Sequence, residues 1–224
     1  MKKVKNGFCI SVGLLLTFIM WTIAVCYVDV KPIGPQNSCV GFAKINQFVH
    51  DLTGVNFTLY TITDWLGLVP IGVCLAFGIF GLAQWIKRKN LLKVDADILV
   101  LGVFFMVTIA AYLLFETIVI NYRPVLIEGY LEASYPSSTT MLVLCVMPTS
   151  IMQFNARIKS KPLRIFVAFV ISVFITFMVI GRLISGVHWF SDIVGGVLLS
   201  AGLVIMYYSV CSFICARNVK RVVI

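Results

Sequence analysis

The sequence predicts an all-α membrane protein: six membrane-crossing helices in one bundle, with a shorter helix lying at the outer interface. Three observations predict it. Of the 224 residues, 60% are hydrophobic and the mean hydropathy is +1.01, more apolar surface than a soluble domain of this size can enclose. Six segments are long enough, or nearly so, to cross a hydrocarbon core of about 30 Å. The basic residues cluster in alternate connections, as one-sided topology requires.

The predicted spans are Gly7–Val28, Leu66–Ile86, Ile98–Ile120, Ser138–Phe154, Leu163–Ile184 and Ile193–Cys215. Pro70 and Pro148 fall within the second and fourth, where neighbouring helices can re-satisfy the backbone. Lys2, Lys3 and Lys5 before the first span give it the look of a signal peptide. Its apolar stretch is too long for one, and no small-residue cleavage site follows, so a retained helix is expected. The net charge of +9 resolves once mapped. All 18 lysines and arginines except Lys31, Lys44, Arg123 and Arg182 lie before the first span, after the sixth, or between spans two and three and spans four and five. Both termini are therefore expected in the cytoplasm. The basic excess reflects topology and contact with membrane lipids, not nucleic-acid binding.

The one long connection, residues 29–65, faces outward. Phe42, Ile45, Val49 and Leu52 recur in it at helical spacing between Gly41 and Gly54, predicting a short amphipathic helix that lies in the interface or caps the bundle. His50 and Asp51 read as its polar face, and Asn56-Phe-Thr58 matches a glycosylation sequon. None of the seven cysteines pairs with histidines at metal-ligand spacing, so neither a disulfide framework nor a zinc site is expected. No internal repeat or domain boundary is evident; residues 1–224 read as a single domain.

Three short segments fall at the predicted outer helix ends. Arg123-Pro124 follows the third span and Pro136-Ser137-Ser138-Thr139 opens the fourth. Arg182-Leu-Ile-Ser-Gly-Val-His188-Trp-Phe-Ser-Asp192 joins the fifth to the sixth. An Arg/His/Asp triple alone is better explained by an interfacial ion pair. At i, i+4 on a helix, His188 and Asp192 would share a face, letting the carboxylate hold one imidazole nitrogen protonated while the other meets an electrophile. Arginine's planar fork suits a phosphoryl group. Tyr122, Tyr130, Tyr135 and Trp189 read as an interfacial aromatic girdle, and Glu128 and Glu132 as solvated loop charge.

These segments, in this order, resemble the signature of the type-2 phosphatidic acid phosphatases, lipid phosphate phosphatases that share a core with vanadium haloperoxidases and bacterial acid phosphatases. The likeness spans Glu116–Asp192 and extends to the six-helix plan. The third signature block is matched at Arg182, His188 and Asp192, with Gly181 in place of serine. In the first, Arg123-Pro124 is kept but Glu116 stands at the lysine position. In the second, Pro136 and Ser137 are kept, while Ser138 replaces glycine and Thr139 replaces histidine.

The resemblance implies catalysis by His188, which forms a phosphohistidine, with Asp192 orienting it. Arg123, Arg182, Ser137 and Ser138 would bind phosphate, and no metal or other cofactor is required. It also implies a lipid phosphate or diphosphate substrate, met at the outer face of the cell membrane. The family's second-block histidine protonates the leaving oxygen, which Thr139 cannot do at neutral pH. A diphosphate, whose leaving phosphate monoester has a relevant pKa of about 6, escapes that need. The altered motifs therefore point to a polyprenyl diphosphate such as undecaprenyl diphosphate rather than phosphatidic acid. For Glu116 three readings stand: an ion-pair partner of Arg123 or Arg182, a protonated carboxyl replacing the missing acid, or the mark of a site without hydrolysis. A silent relative that binds or transports a lipid phosphate, and a phosphotransferase with an acceptor other than water, are the alternative functions.

Overall fold

A computed structural model describes the backbone of residues 2–222 and the side chains of residues 4–217. Its helices are α1 (Lys2–Tyr27), α2 (Ala43–Thr53), α3 (Phe57–Leu66), α4 (Leu68–Arg88), α5 (Ala96–Thr117), α6 (Ser138–Arg157), α7 (Lys161–Ile184) and α8 (Phe190–Val222). Six stretches are long and apolar enough to cross a membrane, α3 and α4 together forming one of them. The chain is an all-α, six-span membrane protein, as the composition predicts.

The second span begins earlier than predicted. Asn56 caps α3, its side-chain oxygen accepting the Leu59 N–H at 2.9 Å, so the sequon asparagine serves the backbone. Only Gly67 separates α3 from α4, where a Cβ would meet Asp64 O at 2.8 Å and Thr139 Cγ2 at 3.5 Å. Pro70 accordingly sits in the first turn of α4, where its missing N–H has no helical partner to lose.

Helix α6 is central, packing against α4, α5, α7 and α8. It buries Thr140, Met141, Val143, Cys145, Val146 and Met147 among others, whereas α7 exposes Ile165, Phe166 and Phe169. This explains why α6 is the least apolar span: protein, not lipid, surrounds it. Thr149 and Ser150 bond back to carbonyls of their own helix, which satisfies their hydroxyls. Helices α1 and α8 approach closely through Gly7 beside Ser209, Gly202 beside Leu15, and Ser11 Oγ donating to Gly202 O at 2.7 Å.

The basic end of the bundle is braced by Arg157 with Asp97 at 2.9 Å and Arg88 with Asp95 at 2.8 Å. Asp95 also accepts from Gln84 at 2.8 Å, pinning α4 to the start of α5. Helix α2 lies at the other end, with most of its apolar stripe turned outward as in the interfacial reading. Ala43 and Asn46 are its buried face, while Ile45, Phe48 and Leu52 are exposed; in a bilayer interface that apolar face meets lipid. His50 turns inward against Trp189, ring centroids 5.5 Å apart, so it is not solvated polar surface.

The joint between α7 and α8 is locked to the joint between α2 and α3. Asn56 N–H donates to Ser185 O at 3.0 Å. Gly186 adopts φ +67, and a Cβ on it would lie 1.9 Å from Gly54 O. Gly186→Ala should therefore destabilise the protein by about 2 kcal/mol or more. In detergent its thermal midpoint should fall well below that of Gly72→Ala, a helical position where no described residue lies within 4 Å of the added Cβ.

Candidate active site

Residues 118–137 fold back as a hairpin-like loop. Tyr122 bridges to Ala133 and Ile127 to Tyr130, closing on Glu128 and Gly129, both at positive φ (51 and 84), as two-residue primed turns require. Arg123 N–H donates to Glu132 O at 3.0 Å, and Ser134 N–H to Asn121 O at 2.9 Å. The loop thus presents Asn121, Arg123 and Ser134 toward the α7–α8 connection. Two of these three, Asn121 and Ser134, carry no motif and were not foreseen.

Asp192 is fully buried at the start of α8. Its Oδ2 accepts the Trp189 N–H at 2.9 Å and the Ser134 hydroxyl at 2.5 Å; its Oδ1 accepts Asn121 Nδ2 at 3.2 Å. Because α8 begins at Phe190, Asp192 is the third helical residue, and its bond to the N–H just before the helix is half of a capping box. His188 lies before that helix, so the two do not share a helical face as expected. The distance from Asp192 Oδ2 to His188 Nδ1 is 4.0 Å, too long for a hydrogen bond. Ser134 Oγ lies 3.0 Å from that nitrogen instead.

The other ring nitrogen, Nε2, lies 3.2 Å from Arg182 Nη2. Burial, and then the nearby charges of Arg123 and Arg182, hold the His188 pKa well below the ordinary histidine value. A neutral imidazole with hydrogen on Nδ1 accepts from Arg182 through its Nε2 lone pair, the electron pair a nucleophile needs.

Arg182 is 1% exposed and Arg123 9%. Arg182 Nη1 reaches Asp64 Oδ1 at 3.4 Å and Arg123 Nε reaches Glu132 Oε2 at 3.1 Å. Both guanidiniums also approach the Tyr60 ring, 5.1 Å and 5.9 Å from its centroid. Yet Arg182 Nε and both Arg123 Nε and Nη1 make no aligned hydrogen bond among the described residues. Arg123 Nε still faces the Glu132 carboxylate, so Arg182 Nε and Arg123 Nη1 are the buried donors left open, and these suit an incoming anion.

These arginines stand at the head of a cavity of about 1050 Å³ between α3–α4, α5 and α6. Asp64, Glu116, Glu132, Ser138 and Thr139 also line it, and its wall continues along Leu68, Ile71, Ile109 and Leu113. Ser137 is buried, its Oγ without a partner among the described residues and its N–H donating to Asp192 O at 3.1 Å. The predicted residues therefore converge at one end of the bundle, with two revisions. Glu116 forms no ion pair with Arg123 or Arg182; Asp64 and Glu132 take those places, so Glu132 is not merely solvated loop charge. Asp64 could have been suspected as a carboxylate inside an apolar run. Nothing in the spacing marked Ser134, Asn121 or Asn46, whose side chain exchanges hydrogen bonds with Ser191 (Nδ2 to Oγ at 2.9 Å, Oδ1 from N–H at 3.0 Å).

The lowered His188 pKa has a consequence for stability. Below about pH 6.5 the unfolded chain binds a proton at this histidine that the folded site refuses. Stability should thus fall as pH drops from 7 to 5, by at most about 1.4 kcal/mol per pH unit from this group. Thermal unfolding of His188→Gln should show a shallower decline than wild type over that range.

The chain matches the profile of the PAP2 superfamily over residues 103–213, from α5 into α8. Among solved structures, a transmembrane PAP2-type phosphatidylglycerolphosphate phosphatase from Bacillus subtilis has a similar fold, with a TM-score of 0.56 at 18% identity. That match covers 91% of this chain and 96% of the other. Comparison with curated proteins finds no match. With the family profile covering the segment that carries Arg123, Ser137, Arg182, His188 and Asp192, the chain belongs to the PAP2 superfamily.

Proposed function

We propose that this protein is a lipid phosphatase that hydrolyses a lipid diphosphate, such as a polyprenyl diphosphate, at the outer face of the membrane. The observation that carries this reading is Arg182, which lines a partly apolar cavity with Arg123 and reaches the buried His188 Nε2 at 3.2 Å, with arginine donors left open. The arginines grip the terminal phosphoryl oxygens, and their contact frees the Nε2 lone pair. Nε2 forms a bond to phosphorus as the bridging P–O bond breaks, and the lipid monophosphate departs with that electron pair. The phosphohistidine is an imidazolium, its proton retained on Nδ1. Water then attacks phosphorus, the P–N bond breaks, and inorganic phosphate leaves with both water protons.

The leaving group decides the finer substrate class. Thr139 lines the cavity where an acid would stand, and general acid catalysis is typically worth about 10²–10⁴-fold. Glu116 is the one lining carboxylate not paired with an arginine, but an anhydride needs no acid from it. Asp64 and Glu132 are 56% and 42% exposed, so their ion pairs are weak enough for a multiply charged phosphate to displace.

Purified protein should release phosphate from undecaprenyl diphosphate faster than from phosphatidate, and His188→Ala should abolish release. Equal inertness of wild type and mutant with every lipid phosphate would favour a binding or transport role. Thr139→His should gain monophosphatase activity by about 10²-fold or more.

A further inference from the structure

We infer that Ser134 is a positioning residue that relays between Asp192 and the nucleophilic histidine, so that the carboxylate acts on His188 only through a hydroxyl. The kinetic part of this assignment rests on the phosphatase reading above. The separation of 4.0 Å between Asp192 Oδ2 and His188 Nδ1 excludes a direct bond. Ser134 Oγ lies 2.5 Å from that same oxygen and 3.0 Å from that nitrogen. A carboxylate can only accept, so the hydroxyl hydrogen points to Asp192 and the Oγ lone pair faces the ring. That arrangement requires hydrogen on Nδ1 and leaves the lone pair on Nε2, the nitrogen beside Arg182.

Ser134 is well placed to enforce this choice. It is 3% exposed, and its backbone N–H is fixed to Asn121 O at 2.9 Å. Asp192 cannot easily swing toward the ring, because Trp189 N–H and Asn121 Nδ2 hold its two oxygens at 2.9 and 3.2 Å. The cap that starts α8 therefore fixes the carboxylate away from the ring, and serine fills the gap. When Nε2 forms its bond to phosphorus, positive charge grows on the ring, and the polarised Ser134 hydroxyl carries the carboxylate's stabilisation to Nδ1–H. No proton needs to leave Nδ1 in that step.

Two measurements test the relay. In a cycle of Ser134→Ala, Asp192→Asn and the double variant, Ser134→Ala should lower kcat by roughly 10- to 100-fold with KM within about twofold. Asp192→Asn should cost much less in the Ser134→Ala background than in wild type. Independent, multiplicative losses would overturn the relay. The second measurement does not depend on turnover. In a His50→Gln background only His188 remains, and ¹⁵N-histidine NMR should show hydrogen on Nδ1, a preference weakened or reversed by Ser134→Ala. An unchanged tautomer in Ser134→Ala would refute the assignment. A shifted tautomer in a protein inert toward every lipid phosphate would keep the relay and sink the phosphatase reading.

Discussion

The buried carboxylate of Asp192 is the constraint on which this end of the molecule depends. Burying an unpaired carboxylate costs several kcal/mol, so its oxygens must collect donors. They draw on Trp189 before α8, Asn121 on one limb of the 118–137 loop and Ser134 on the other. The backbone of the same residue accepts from Ser137 at the head of α6. Three segments distant in sequence are thereby fixed around one side chain. Asn46 and Trp21, bonded to the neighbouring Ser191, extend the tie to α2 and α1.

The arginines beside it obey the same physics with the opposite outcome. Arg182 and Arg123 are nearly as buried, but their partners Asp64 and Glu132 are half-exposed and some of their N–H groups stay open. The satisfied carboxylate gives the site its shape; the incompletely satisfied cations give it appetite for an anion. His188 touches both sets, through Ser134 on one nitrogen and Arg182 on the other.

Much of this was legible in the sequence because it depends on periodicity and charge. Long apolar runs bounded by basic clusters define the spans, and the order of Arg123, Pro136, Arg182, His188 and Asp192 marks the site. Hydrogen bonds between segments were not legible. The expectation of a direct His188–Asp192 contact took a spacing of four as helical, but the helix starts between them and uses the aspartate as its cap. Ser134 is an ordinary loop serine until that gap exists. The apolar stripe of α2 was visible, yet its neighbours in the bundle, which make Ala43 and Asn46 the inner face, were not. Glu116 drew attention by replacing an expected lysine, while Asp64 and Glu132, which pair with the arginines, had no motif to announce them.

The cavity below the arginines has a further consequence. Helices α4 and α5 are pinned near the basic end by Asp95, Gln84 and Arg88, and the cavity wall uses their opposite halves, including exposed Leu68, Ile71, Ile109 and Leu113. In a bilayer, a molecule reaching the arginines along that wall would travel within the lipid film rather than through water. For such a ligand, encounter is governed by two-dimensional crowding, its mole fraction among the lipids. Diluting it with inert lipid would slow encounter even while its molarity in the tube stayed constant.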